Sequence, residues 1–260
     1  MSGKAARLPR VGIIGGGTVA AAIVDDIQRG GFAEIGYVLV SSLERQRGFA
    51  LPSGIILADP EAALGRDVDL VVEAALPDVL ARFAPRILRR ASLCGFSCTA
   101  LADPETLRTI EEAVAASGFS CYVPHGAVLA LDGLADGRDM IETVTITTTK
   151  SGKSFGVDPG ASGTIFEGPA REACRRFPRN VNVHAAIAMA GIGFDRTLSR
   201  IIAVPDQPTM EHRVEVKGKG LEWDIRLSSR SLGGVTGSYT PASAAGSVRR
   251  ILSGGGVRIA

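Results

Sequence analysis

The chain has 260 residues, enough for one large α/β core or two interlocked ones, and 29 Lys and Arg stand against 27 Asp and Glu, so there is no field to draw nucleic acid or an anionic membrane. No apolar run reaches the roughly 18 residues of a spanning helix, and residues 1–10 hold no apolar signal core. A cytoplasmic protein that works on small polar metabolites is expected, with neither nucleic acid nor membrane as a partner.

Val11-Gly12-Ile13-Ile14 predicts a buried strand, and Gly15-Gly16-Gly17-Thr18-Val19-Ala20 follows it directly, opening a helical run from Val19 to Ile27. This order fits a dinucleotide. Gly15 allows the tight turn, Gly17 lets the backbone approach a pyrophosphate, and Ala20 lets helix and strand pack closely, with Thr18 and Val19 at the helix start. Further strands are predicted at Ile35–Val40, Val68–Glu73, Ser92–Gly95 and Phe119–Val123, separated by helical segments. Asp59-Pro60-Glu61 and Asp103-Pro104-Glu105 each supply an N-cap, a proline for the first helical position and an acid at the positive end of the dipole, and Pro77 opens another helix.

Beyond Pro124 the texture changes. Glu142–Lys150 is an alternating, Thr-rich strand, and strands are also predicted at Gly163–Glu167, Arg200–Val204, His212–Lys217 and Leu221–Leu227, with helices at Pro169–Phe177 and Val183–Ala190. The reading is an α/β protein. A Rossmann doubly wound parallel sheet over residues 1–124 binds the dinucleotide, and an α+β domain over 125–240 with an open mixed sheet binds substrate and assembles. A last helix within 241–260 returns to the first domain. The half-exposed Thr-rich sheet predicts a homo-oligomer, a dimer or tetramer. Cys94, Cys98, Cys121 and Cys174 form no C-x-x-C pair and read as reduced core thiols, and no histidines have metal-ligand spacing, so no metal site is expected.

An NAD site commonly places an Asp or Glu at the end of the second strand to bind the ribose 2′-hydroxyl. Here Tyr37-Val38-Leu39-Val40 runs into Ser41-Ser42-Leu43-Glu44-Arg45. Ser41, Ser42 and Arg45 offer hydroxyls and a guanidinium that suit a 2′-phosphate, which tilts the cofactor from NAD towards NADP; the other reading is a solvated loop with helix-capping serines. The strand end Val71-Val72-Glu73-Ala74-Ala75 supplies small side chains, Ala74 and Ala75, that leave room for the cofactor at the carboxyl edge of the sheet.

Several segments together resemble the L-aspartate dehydrogenase family, over most of the chain from Val11 to about Lys217. They are Val72-Glu73-Ala74-Ala75, Ala100-Leu101-Ala102-Asp103, Pro124 with Gly126-Ala127, Leu131-Asp132, and Gly168-Pro169-Ala170-Arg171-Glu172-Ala173 leading through Phe177-Pro178-Arg179-Asn180-Val181-Asn182-Val183 to Ala190-Gly191-Ile192-Gly193-Phe194-Asp195-Arg196-Thr197. The resemblance implies reversible oxidative deamination of L-aspartate to oxaloacetate and ammonia with NAD or NADP, through an imine. It also implies Ala127 and Asn182 beside the cofactor and His212 as the catalytic histidine.

The chemistry of deamination also favours His212. Deamination needs proton transfers as water adds and ammonia leaves, and imidazole titrates near neutrality. The chain has three histidines, His125, His184 and His212, and His212 is read at the start of its strand beside a loop. The chain also departs from the family, which usually has Ser at His125, Ala at His184 and Asn at Met210. A Lys-Pro-Pro segment becomes Lys150-Ser151-Gly152, and an Asn-Pro-Lys-Thr-Ser segment becomes Tyr239-Thr240-Pro241-Ala242-Ser243. His125 and His184 are therefore candidate substrate contacts, the alternative being that they pack or bond to backbone. Two other functions stay open: a dehydrogenase or reductase for another small amino, oxo or aldehyde acid, and an NADP-binding sensor without chemistry.

Overall fold

The computed structural model describes residues 7–45, 49–232 and 235–253, without the side chain of Arg45. Two sheets organise the chain. The first is built from β1 (Arg10–Ile14), α1 (Thr18–Gly30), β2 (Glu34–Leu39), β3 (Ile56–Leu57), α2 (Pro60–Leu64), β4 (Leu70–Glu73), α3 (Pro77–Ile87), β5 (Ser92–Gly95), α4 (Pro104–Ser117) and β6 (Cys121–Tyr122). All six strands are parallel, in the order β3-β2-β1-β4-β5-β6. This is the doubly wound Rossmann order, with its switch point between β1 and β4, where the ends of both strands open a crevice.

The predicted punctuation governs the helices. The Asp59 side chain accepts from the Glu61 amide at 2.9 Å and that of Asp103 from the Thr106 amide at 2.9 Å, with proline next in each case. α1 and α4 end on Gly31 (φ 58°) and Gly118 (φ 75°), left-handed positions that glycine takes at little cost. The strand predicted at 68–73 begins at Leu70 and the one at 119–123 narrows to two residues. Two-residue β3 was not foreseen, being too short to show any alternation.

The second sheet comprises β7 (Ile141–Lys150), β8 (Gly163–Pro169), β9 (Leu198–Ala203), β10 (Thr209–Gly218) and β11 (Leu221–Arg230), in the order β11-β10-β7-β9-β8. It is mixed, since β7 and β9 run parallel and the other neighbours antiparallel. Around it lie α5 (Leu131–Asp136), α6 (Gly152–Phe155), α7 (Ala170–Arg176) and α8 (Asn182–Ala190). One face carries Val144, Ile146, Thr148 and Lys150 of β7 with His212, Val214 and Val216 of β10, all buried. The opposite face stays polar, with Thr143, Thr145 and Thr149 beside the Arg213–Asp224 and Arg226–Glu211 ion pairs.

His212 departs from its predicted place. β10 starts three residues earlier because it pairs along its length with β7 and β11, so His212 lies within the strand, opposite Thr148 and Leu227, and is 7% exposed.

The last helix, α9 (Tyr239–Leu252), packs on α1: Ala244 and Val248 join the cluster of Val11, Ile13, Ile23 and Val24, and Arg249 Nε donates to Asp26 at 3.2 Å. Residues 254–260, the end of the helix span expected within 241–260, lie outside the described residues. Among the described residues no helix is long and apolar enough to cross a membrane.

Candidate active site

The glycine turn after β1 is held to both neighbouring strands: the Gly15 amide donates to Leu39 O and the Ala74 amide to Ile14 O, each at 2.8 Å. Gly15 has φ +131°, and a Cβ there would lie 2.4 Å from Ala74 O, so only glycine fits. At Gly17 a Cβ would meet nothing within 4 Å, which leaves the backbone open to the crevice. Gly17 caps α1 with no side-chain hydrogen bond, and the first turn holds no acid. The positive end of the α1 dipole therefore faces the crevice, which fits a dinucleotide pyrophosphate. Ala20, fully buried, lies beneath the turn.

The adjoining wall is set by a buried carboxylate. Glu73 Oε1 accepts from the Ala75 amide at 2.7 Å and from Ser97 Oγ at 2.8 Å, and Oε2 accepts from the Ser97 amide at 3.1 Å. Burial pushes the Glu73 pKa up, and these donors pull against that rise. The result is a fixed, small-residue edge at Ala74 and Ala75.

A cleft of about 1070 Å³, counting its open mouth, lies between this edge and the second sheet. It brings together Gly17, Thr18, Val19, Ala74, Ala75, Ala127, Asn182 and His212 from the sequence-predicted set. Asn182 Oδ1 accepts from the Thr99 amide at 3.2 Å and from Thr99 Oγ1 at 3.1 Å, tying α8 to the first sheet's layer, so its amide nitrogen is the group left to donate.

Other predicted residues lie elsewhere. Ser41 and Ser42 sit at the end of β2 outside this cleft lining, and Ser42 Oγ accepts from the Glu44 amide at 3.2 Å, the capping arrangement weighed above. The Arg45 side chain is outside the description. His125 is half-buried and does not line the cleft. His184 does not line it either: it is fully buried behind His212, because α8 turns it into the sheet rather than towards the opening.

Four polar groups run in series from that core to the cleft. Ser199 Oγ is 2.9 Å from His184 Nδ1, His184 Nε2 is 2.6 Å from Thr148 Oγ1, and Thr148 Oγ1 is 2.8 Å from His212 Nδ1. His212 Nδ1 thus points inward and Nε2 is on the cleft side. Burial, assisted by the nearby Lys150 charge, pushes the His212 pKa down to about 3, and burial with His212 and Lys150 holds His184 well below its usual range. Both rings are neutral near pH 7. Lys150, 2% exposed, donates to Asn180 Oδ1 at 2.7 Å, lies 4.4 Å from the Phe155 ring centroid, and is itself pushed down to about 7 by burial.

Sequence reasoning missed Arg179, which lines the cleft and makes no hydrogen bond or ion pair with a described residue. It stands in the quoted Pro178-Arg179-Asn180 segment, and a lone cation beside an expected cofactor contact was the available signal. Thr236 and Thr240 also line the cleft. Thr240 belongs to the Tyr239–Ser243 segment quoted above as a departure from the family, whereas nothing in its Gly/Ser-rich surroundings marked Thr236. Among the described residues no His, Cys, Asp or Glu cluster could hold a metal ion.

Comparison with known proteins places the chain in a family. Residues 132–251 match the model described as aspartate dehydrogenase, C-terminal, and residues 15–124 match that of the homoserine dehydrogenase NAD-binding domain. L-aspartate dehydrogenase 1 of Bordetella pertussis is 36% identical over 226 residues, covering 84% of this chain and 86% of that protein. The Archaeoglobus fulgidus L-aspartate dehydrogenase is 32% identical over 243 residues, covering 93% and 95%. The solved aspartate dehydrogenase of Thermotoga maritima shares the fold, with a TM-score of 0.73, 24% identity and coverage of 95% and 96%. On these identities, spanning most of both chains, this chain belongs to the L-aspartate dehydrogenase family.

Proposed function

We propose that the chain catalyses the reversible, NAD(P)-dependent oxidative deamination of L-aspartate to oxaloacetate and ammonia. The observation that carries the reading is that one cleft is lined both by an anion-binding helix start at Gly17 and Thr18 and by a buried imidazole, His212. The bound nicotinamide cofactor supplies the hydride acceptor. The chain would supply the rest: the turn from Gly15 to Ala20 would hold the pyrophosphate, while Ala74, Ala75, Ala127 and Asn182 would form the wall beside the cofactor. His212 Nε2 handles the protons exchanged as water enters and ammonia leaves. Arg179, a cation with no described protein partner, is placed to hold a substrate carboxylate.

Between the two cofactors the proposal leans to NADP. The support is the absence of an acid where β2 ends and the presence of Ser41 and Ser42 there. A cytoplasmic, reducing setting agrees with four free thiols, three of them buried. A homo-oligomer agrees with the edge strand β11, whose Leu221, Trp223, Ile225 and Leu227 share the core-facing side of the sheet yet are only half-buried. The deciding experiment crosses NAD and NADP with L-aspartate and a panel of related amino and oxo acids. Turnover is expected to be highest for L-aspartate. Turnover confined to another acid, or cofactor binding with no turnover, overturns the assignment.

A further inference from the structure

The polar series behind His212 has a direction, which follows from counting donors. Each hydroxyl carries one proton and each neutral imidazole carries one, on either nitrogen. Ser199 Oγ is fully buried, and its one hydrogen-bond partner among the described residues is His184 Nδ1. If His184 Nδ1 held the proton, Ser199 would accept it and its own O–H would be buried without an acceptor. Such a donor carries its full desolvation cost. The other direction satisfies every donor: Ser199 Oγ–H donates to His184 Nδ1, His184 Nε2–H to Thr148 Oγ1, and Thr148 Oγ1–H to His212 Nδ1. Both His184 nitrogens have partners, which fixes the ring's orientation as well.

We infer that Ser199, His184 and Thr148 form a one-way hydrogen-bond chain that holds His212 in the tautomer with its proton on Nε2, presented to the cleft as a neutral donor. His184 and Thr148 are thus positioning residues for His212, although neither touches substrate. Charge around the chain reinforces this. Lys150 is the cation felt by both rings, and it opposes a second proton on either. The inference rests on the proposed reaction in assigning a use to that donor. As the substrate C–N bond breaks, its electron pair leaves with nitrogen and the His212 Nε2 proton goes to that nitrogen. The hydroxyl on the same carbon gives its proton to Nε2 while the O–H pair forms the carbonyl. His212 returns to its starting tautomer, and the buried chain carries no net charge at either end of the step.

The tautomer is directly measurable. With three histidines in the sequence, a ¹⁵N-histidine spectrum of the intact, ligand-free protein at neutral pH has few signals, assignable with His125→Gln and His184→Ala. Both His184 and His212 are expected with Nε2 protonated and Nδ1 bare. A His212 proton on Nδ1, or an even mixture of tautomers, overturns the inference. In kinetics, Thr148→Val is expected to lower kcat by about tenfold or more with little change in substrate KM, and Thr148→Ser to restore it. A Thr148→Val protein that keeps both the tautomer and kcat also overturns it. Should that variant fail to fold, the wild-type spectrum alone decides. The spectrum does not depend on turnover: a protein inactive on L-aspartate with the expected tautomer refutes the reaction and not the chain, and an active protein with Nδ1–H does the reverse.

Discussion

Ser97 Oγ donates to Glu73 Oε1 at 2.8 Å in the interior, between the ends of two neighbouring parallel strands. The Ala75 and Ser97 amides converge on the same carboxylate, so one buried acid satisfies three donors and fixes the edge proposed above to carry the cofactor. Glu73→Ala removes the acceptor and leaves those donors facing a void. An unpaired buried donor costs about 1–3 kcal/mol, so a clear fall in Tm is expected, with a raised cofactor Kd measured by calorimetry. An unchanged Kd would mean that the edge holds its shape without the carboxylate.

Lys150 gives the stability curve a definite sign. Its folded value of about 7 lies below the 10.5 of a free lysine. Between those values the unfolded chain binds a proton that the folded chain does not, so stability rises with pH through the window, by at most about 1.4 kcal/mol per pH unit. His184 and His212, also shifted down, act in a lower window, where stability falls as pH drops below 6.5. The urea midpoint is expected to climb between pH 7 and 9, and Lys150→Met to flatten that climb while leaving the acid limb in place. An identical slope in the variant would contradict the lowered pKa of the buried Lys150.

Arg179 is the test of substrate binding. A charge-assisted hydrogen bond contributes about 1.5–3 kcal/mol, so Arg179→Gln is expected to raise the KM for L-aspartate by about tenfold or more while the cofactor Kd stays put. Steady-state kinetics beside a cofactor titration checks it. Equal losses in both would move Arg179 to the cofactor.

The first half of the fold was legible because its signals are local. The Gly15 turn, the Asp-Pro caps at Asp59 and Asp103 and the apolar strands each carry their own instruction, and the strand at Ser92–Gly95 came out residue for residue. Part of the cleft lining was likewise readable, at Gly17, Ala74 and Asn182. What escaped depends on pairing across the chain. The true start of β10 is set by β7 and β11, and that register turns His212 from a residue beside a loop into a buried one facing Thr148. His184 stood out as a third imidazole, yet a linear reading could not tell a residue inside the cleft from one behind it. The relation among Ser199, His184 and Thr148 spans three separate elements, and no spacing records it.

The central claim is that His212 performs proton chemistry on L-aspartate in a nicotinamide-dependent reaction. The most direct measurement compares wild type and His212→Gln in L-aspartate oxidation with NAD and with NADP, alongside the cofactor Kd of each. The account predicts turnover by the wild type and a loss of about 100-fold or more in kcat for the variant, with the cofactor Kd unchanged. A wild type that does not oxidise L-aspartate with either cofactor, or a His212→Gln protein as fast as the wild type, would contradict it.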